Sequence, residues 1–404
     1  MGIRVGQRAE PVDAPLDAPE SRREPWFVPP RLLTTQEEGQ RHASWLELFF
    51  DLVFVVAITQ LSHALVVDHS TGGFLRFAAL FLPVYVAWQG YMAYATRFDT
   101  DDLAFRVAYF MAMLAVAAMA VLIDDVARGV HSAAFAAAYV TLRSVMLALY
   151  WRAWRAVPDA RELIRFYGLG YSAGVAIWLA SLAVPTPARY VMWGVALVLE
   201  LSLPPLATSI HRRVPTSSRH LPERWALFTL IVIGESVVAI ALETSETEWG
   251  FESAAAAILG FAAVAAVWWL YFDQQANVVL RQTPAPLVYS YAHIPLLIGL
   301  AAMSAGIRLL IERAGADQLG RGASVAFLGG VMLYLVSLVV TRSVTVTGPR
   351  RVGVSLKLGA VAVILALLAV ESALPPVALA GGLALVLAAV VFLERMLLPS
   401  REAL

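Results

Sequence analysis

Residues 44–63 read Ser-Trp-Leu-Glu-Leu-Phe-Phe-Asp-Leu-Val-Phe-Val-Val-Ala-Ile-Thr-Gln-Leu-Ser-His. The stretch is apolar and long enough to cross a bilayer as a helix, which takes about 20 residues. It nevertheless carries Glu47 and Asp51. Four residues apart, these carboxylates share one helical face, one turn from each other. A charge inside a membrane span costs about 2.5 kcal/mol or more on insertion scales, so such a residue faces protein or a water-filled path.

The rest of the chain agrees with a membrane protein. Of 404 residues, 59% are hydrophobic and only 15% charged, with a mean hydropathy of +0.70; soluble domains run at about 25% charged. There is no cysteine, which excludes disulfides, thiolate metal ligands and cysteine nucleophiles. The formal net charge is zero, so no bulk field argues for nucleic acid. Residues 1–40 are polar and rich in Pro, Glu and Arg. They read as a disordered cytoplasmic tail that meets the membrane near Trp26-Phe27. No basic-then-apolar start suggests a cleaved signal peptide.

Apolar runs predict an all-α polytopic bundle of about twelve spans: 45–66, 73–95, 103–123, 131–151, 163–184, 189–210, 224–243, 251–272, 286–311, 322–341, 353–373 and 377–397. Pro375-Pro376 between the last two reads either as a tight turn or as a re-entrant bend. With the N-terminus inside, 23 of the 30 Lys and Arg fall in or beside inner segments, 4 in outer loops, and Arg76, Arg143 and Arg308 within spans. The bias predicts both termini on the cytoplasmic side.

The chain also reads as duplicated. Trp45 and Trp225 each begin a span 180 residues apart, and Trp88-x-x-Tyr91 recurs at the same offset as Trp268-x-x-Tyr271. Six spans per unit is an even number, so both copies would share one orientation, related by an axis along the membrane normal. The predicted organisation is the tail 1–40, a first six-helix repeat over 41–211, a cytoplasmic linker 212–223 and a second repeat over 224–398.

Leu46-Glu47-Leu48-Phe49-Phe50-Asp51-Leu52-Val53-Phe54 followed by Ala57-Ile58-Thr59, Arg97-Phe98-Asp99-Thr100-Asp101-Asp102, and Glu223-Arg224-Trp225-Ala226-Leu227-Phe228 running into Gly234-Glu235-Ser236 resemble the bacterial low temperature requirement protein A family. The resemblance covers most of residues 41–400. It implies a multi-pass protein of the bacterial cytoplasmic membrane, and no chemistry. The first span also has, more distantly, the spacing of the first pore-lining helix of the endolysosomal and bacterial potassium-channel family. Trp45 and Phe50 stand where that family's motif has Arg and Ser, and Ile231 replaces Asp51 at the 180-residue offset.

The candidate ion or substrate path consists of Glu47, Asp51, Thr59, Glu200, Glu235 and Ser236. Asp51 lies about 9 Å along its helix from Trp45, at about 1.5 Å per residue, and Thr59 and Ser62 continue its face. Glu235 sits near mid-depth between Gly234 and Ser236, an arrangement suited to a cation or proton site. For each carboxylate the alternative is an ion pair internal to the bundle. Glu200 precedes Pro204-Pro205, which either free backbone carbonyls as ligands or simply kink the helix. Arg143 is the basic residue near mid-depth and needs an anionic partner among Glu200, Glu235 and Asp51. Arg76 and Arg308, near outer span ends, are expected to snorkel. His293 beside Pro295 is a possible protonation switch, and Gly329-Gly330 reads as helix packing. The acids of 97–102 could bind a divalent ion or, in a solvated loop, cap the third span. No metal-binding pair such as HExxH is present, and no catalytic residue, metal or cofactor is expected.

The function this predicts is a channel or transporter for a small cation or proton, with the lipid bilayer as its main partner and self-association possible. The alternative is a membrane-embedded enzyme or lipid-handling protein acting at headgroup depth.

Overall fold

The computed structural model describes residues 26–33, 43–213, 220–275, 278, 280, 284–345 and 350–397. Among them are twelve long helices: α1 Trp45–Val67, α2 Thr71–Ala95, α3 Leu103–Ala127, α4 Ser132–Ala156, α5 Arg161–Ser181, α6 Ala188–Leu206, α7 His220–Glu246, α8 Phe251–Gln275, α9 Ala285–Glu312, α10 Arg321–Thr345, α11 Arg350–Ala369 and α12 Pro376–Leu397. Eleven are long and apolar enough to cross a membrane. The exception is α6, where Arg189, Glu200 and two prolines dilute a 19-residue helix. Local chemistry sets several starts. The Ser44 hydroxyl accepts from the Glu47 amide and donates to its carboxylate at 3.1 Å, Ser70 caps α2, and Asp102 caps α3 by accepting from the Phe105 amide at 2.8 Å. Each satisfies an amide that no helical carbonyl can reach. Pro375-Pro376 makes a tight turn, with a short 3₁₀ segment before it and α12 beginning at Pro376.

The helices alternate in direction, which the end contacts make visible. Arg152 at the end of α4 pairs with Asp102 at the start of α3, and Arg395 at the end of α12 pairs with Asp273 at the end of α8. These lie on the near face, where α1 begins. On the far face, Arg189 at the start of α6 donates to Ser132 at the start of α4. Within residues 45–206, α1 packs on α2 and α3, α3 on α4, α4 on α5, α5 on α6, and α2 on α6. Within 220–397, α7 packs on α8 and α9, α9 on α10, α10 on α11, α11 on α12, and α8 on α12. The two sets meet where α1 lies against α7 and α9.

The deepest packing is the crossing of α9 with α10. A Cβ on Gly299 would fall 2.5 Å from the Gly330 carbonyl oxygen, and one on Gly330 would fall 2.6 Å from that of Gly299. Only glycine lets the two backbones approach this closely, as expected of small residues at membrane helix crossings. Exposed apolar side chains such as Val121, Val198, Ile258 and Leu385 cover the outside of the bundle, the surface that hydrocarbon would solvate.

Part of the predicted tail has a fixed place. Residues 31–32 (β1) pair antiparallel with Phe98–Asp99 (β2), and Arg31 bonds Asp99 at 2.7 Å. The Val28 amide donates to Asp102, Arg152 bridges Asp102 and the Val28 carbonyl, and its guanidinium lies 4.4 Å from the Phe27 ring centroid. The acids of 97–102 are therefore engaged by cations: Asp99 by Arg31, Asp101 by Arg106 and Asp102 by Arg152. Residues 1–25 and 34–40 of the tail, and 214–219 of the linker, lie outside the described residues.

Burial pushes the Asp102 carboxyl up, but the Arg152 bonds and the Val28 and Phe105 amides outweigh it and hold it below the usual range. A depressed carboxylate contributes stability that is fully present above its unfolded value of about 3.9 and is lost as pH falls through the folded value. A nitroxide at Pro29→Cys, the sole cysteine of that variant, should stay immobilised at neutral pH and gain mobility only below about pH 4. Asp102→Asn should free it at neutral pH. A label equally mobile with and without Asp102 would show that this clamp does not hold the segment.

Candidate functional site

The seam between the two helix sets holds the carboxylates of the opening stretch. Asp51 is fully buried, and its Oδ1 accepts from Trp88 Nε1 and Arg224 Nη2, both at 2.8 Å. One turn earlier, Glu47 Oε2 lies 3.5 Å from Arg224 Nε and 3.9 Å from His220 Nε2. One guanidinium from α7 therefore serves two carboxylates from α1. Asp51 Oδ2, Arg224 Nη1 and Trp225 Nε1 are buried without a hydrogen-bond partner, a state that raises the cost of each group. An aromatic wall encloses the charges. Trp88 stacks on Phe228 with centroids 4.1 Å apart, Trp225 meets Trp88 edge-on at 4.6 Å, and Trp225 also stacks on His293 at 4.5 Å.

A second charged station lies farther along the same three helices. Glu235 is 11 residues beyond Arg224 on α7, about 16 Å at the helical rise, and on nearly the same face. Its Oε1 lies 3.3 Å from Arg308 Nη2 on α9. Arg308 thus does not snorkel outward as its position near a span end suggests; its side chain is 12% exposed. Helical side chains lean toward their own N-terminus, and α9 starts on the near face, so Arg308 leans into the bundle. Arg76 does sit at the far surface, paired with Asp68. Ser62 on α1 donates to the Ala301 carbonyl of α9 at 3.1 Å, Ser236 is buried beside Glu235, and Thr59 is partly buried.

Glu200 is elsewhere. It pairs with Arg143, and among the three candidate partners it is the one the fold brings to that arginine. Tyr139 donates to Glu200 at 2.9 Å and accepts from Arg143 Nε at 3.1 Å, and Arg143 lies over the Tyr171 ring. The pair is held in a slot between glycines. A Cβ on Gly90 would fall 2.7 Å from Arg143 Nη1, and one on Gly174 would fall 2.7 Å from Glu200 Oε1. The pair joins α4 to α6 within the first helix set, and Arg143 also donates to the Val86 carbonyl of α2 at 3.3 Å. His293 has both ring nitrogens engaged, Nδ1 with the Tyr289 carbonyl at 2.7 Å and Nε2 with the Tyr271 hydroxyl at 3.0 Å, and serves as the floor on which Trp225 stacks.

Sequence reasoning missed Arg224 as a site residue because it stands at a span start, where snorkelling is the default. A usable signal was present: Arg224 precedes Trp225 at the beginning of a span, in register with Ser44-Trp45 beside the two acids. The supposed equivalence of the two tryptophans is looser than the spacing suggests, since Trp45 is 88% exposed and Trp225 fully buried.

The profile described as bacterial low temperature requirement A protein matches residues 42–392. An uncharacterized protein of Rhizobium meliloti (strain 1021) is 28% identical over 329 residues, covering 75% of this chain and 78% of the relative.

Proposed function

We propose, for a chain that belongs to the bacterial low temperature requirement A family, a transport function: passage of a small cation or proton along the α1–α7–α9 seam, with Asp51 as the exchanging group. The observation that carries this reading is the state of Asp51. It is fully buried, bonded through one oxygen to Trp88 and Arg224, and its other oxygen has no hydrogen-bond partner. Glu200 also keeps one oxygen without a partner; what sets Asp51 apart is its place at the seam between the two helix sets, where it shares one guanidinium with a second carboxylate. Glu235 with Arg308 is the second station, and Phe54, Trp88 and Phe228, all buried, supply the apolar stretch between them that limits leakage. In this reading Glu200 with Arg143 is a structural pair outside the path. The near face is the cytoplasmic one, because it carries most of the Lys and Arg.

The matched packing order of the two helix sets supports an internal duplication. So do Tyr94 and Gln274, 180 residues apart, which donate to backbone carbonyls of Leu149 on α4 and Leu338 on α10 respectively. The transport site would then be an asymmetric elaboration, with acids contributed by one copy and the base by the other.

Reconstituted protein should pass protons, sodium or potassium in a liposome flux assay. Asp51→Asn should lower that flux at least about tenfold with near-normal yield and melting, because the amide keeps the shape and the Trp88 bond. Wild-type flux in Asp51→Asn would sink the assignment of Asp51, and no flux of any of the three ions in the parent would sink the transport reading.

A further inference from the structure

Three charged side chains on the near face take no part in the seam. Arg342 ends α10, Lys357 lies in the second turn of α11, and Glu394 is in the last turn of α12. Lys357 Nζ donates to Glu394 Oε1 at 2.6 Å, and Arg342 Nη1 lies 3.8 Å from the same oxygen. Two cations therefore lean on a single carboxylate oxygen. None is free in solvent: the side chains of Arg342, Glu394 and Lys357 are 8%, 12% and 0% exposed. Arg342 Nε is buried without a hydrogen-bond partner. Among the described residues, Asp273 and Arg395 also lie at the near-face ends of their helices, where they pair with one another at 3.3 Å and are half exposed.

Among the described residues, the cluster is thus a buried site in which two cations share one carboxylate. Leaving a buried charge uncompensated is costly, and side chains this little exposed gain little from water. The backbone makes room for it: a Cβ on Gly353 would fall 2.8 Å both from the Arg342 guanidinium carbon and from Glu394 Oε1. The ends of α10 and α12 and the beginning of α11 put the cluster where headgroup phosphates stand. A planar guanidinium beside an ammonium is suited to a phosphate oxyanion, the first by paired N–H bonds and the second as a point charge.

We propose that Arg342 and Lys357 form a binding site for a phosphate oxyanion at the near face, with Glu394 holding the two cations together and competing with the ligand. The occupant is a phospholipid headgroup or free phosphate, which share this chemistry. The inference is independent of the transport reading.

The test uses full-length protein in a neutral detergent, read by its melting midpoint against added phosphatidylglycerol, phosphatidylcholine or inorganic phosphate. Phosphatidylglycerol should raise the midpoint in a saturable way and phosphatidylcholine should not. An equal rise with inorganic phosphate assigns the site to the free anion. Arg342→Gln and Lys357→Gln should each weaken the apparent affinity at least about tenfold. Glu394→Gln keeps both cations and removes their competitor, so it should tighten binding. It also decides the matter if the cation variants do not fold: unchanged or weaker binding in Glu394→Gln overturns the proposal. So does the absence of any rise with either phosphatidylglycerol or phosphate.

Discussion

Arg143→Ala is expected to destabilise the protein by about 3–5 kcal/mol, the typical cost of breaking a fully buried ion pair from one side. The substitution leaves Glu200 charged, buried and bonded only to Tyr139, in a slot whose glycines offer no polar replacement. The loss should not be the worth of the pair itself. Arg143→Met combined with Glu200→Leu removes both charges at similar volume, and it should recover most of the stability, since apolar replacement of a buried pair is often neutral or better. Unfolding titrations in mixed detergent micelles would measure both. A double variant as unstable as Arg143→Ala would mean that the pair contributes net stability, and that helix register between α4 and α6 depends on it.

Arg224→Gln should have an effect of similar size, about 3–5 kcal/mol, and a different pattern of rescue. One guanidinium serves Asp51 and Glu47, so its removal strands two carboxylates across the seam. Adding Asp51→Asn should return part of the stability but none of the flux, because the exchanging carboxylate is gone. Arg224→Lys keeps the charge yet lacks the planar fork that reaches both acids, so its stability should fall between the parent and Arg224→Gln. If Arg224→Gln melts like the parent, the seam is not held by this arginine and the contact between the two helix sets rests on aromatic packing and on hydrogen bonds such as Ser62 to the Ala301 carbonyl.

The membrane bundle was legible from residues 44–63 outward. Hydrocarbon thickness forces runs of about 20 apolar residues, and a backbone without water must bond internally as helix. Those constraints act on composition along the chain, so span number and alternation, and the cost of placing Glu47, Asp51, Glu200 and Glu235 inside it, can be read without a fold. The α6 helix is where that reading weakens, since one arginine, one glutamate and two prolines bring its composition near that of an ordinary buried helix.

Partner choice was not legible in the same way. Arg143 had three candidate acids in sequence and has one in space, because α4 and α6 bring Arg143 and Glu200 together where Gly90 of α2 and Gly174 of α5 leave room for the pair. Arg308 was expected to reach outward, and the lean of side chains on a helix that starts at the near face turns it toward Glu235. Arg224 looked like an interfacial anchor and is the cation that α7 brings against α1. What the chain alone determined is a bundle of about twelve apolar helices and the need to bury the carboxylates inside them, because insertion cost is a property of each segment. Which charge meets which was decided by tertiary structure, because an ion pair depends on the distance between two helices and the direction each side chain leans, and neither is encoded in a single span.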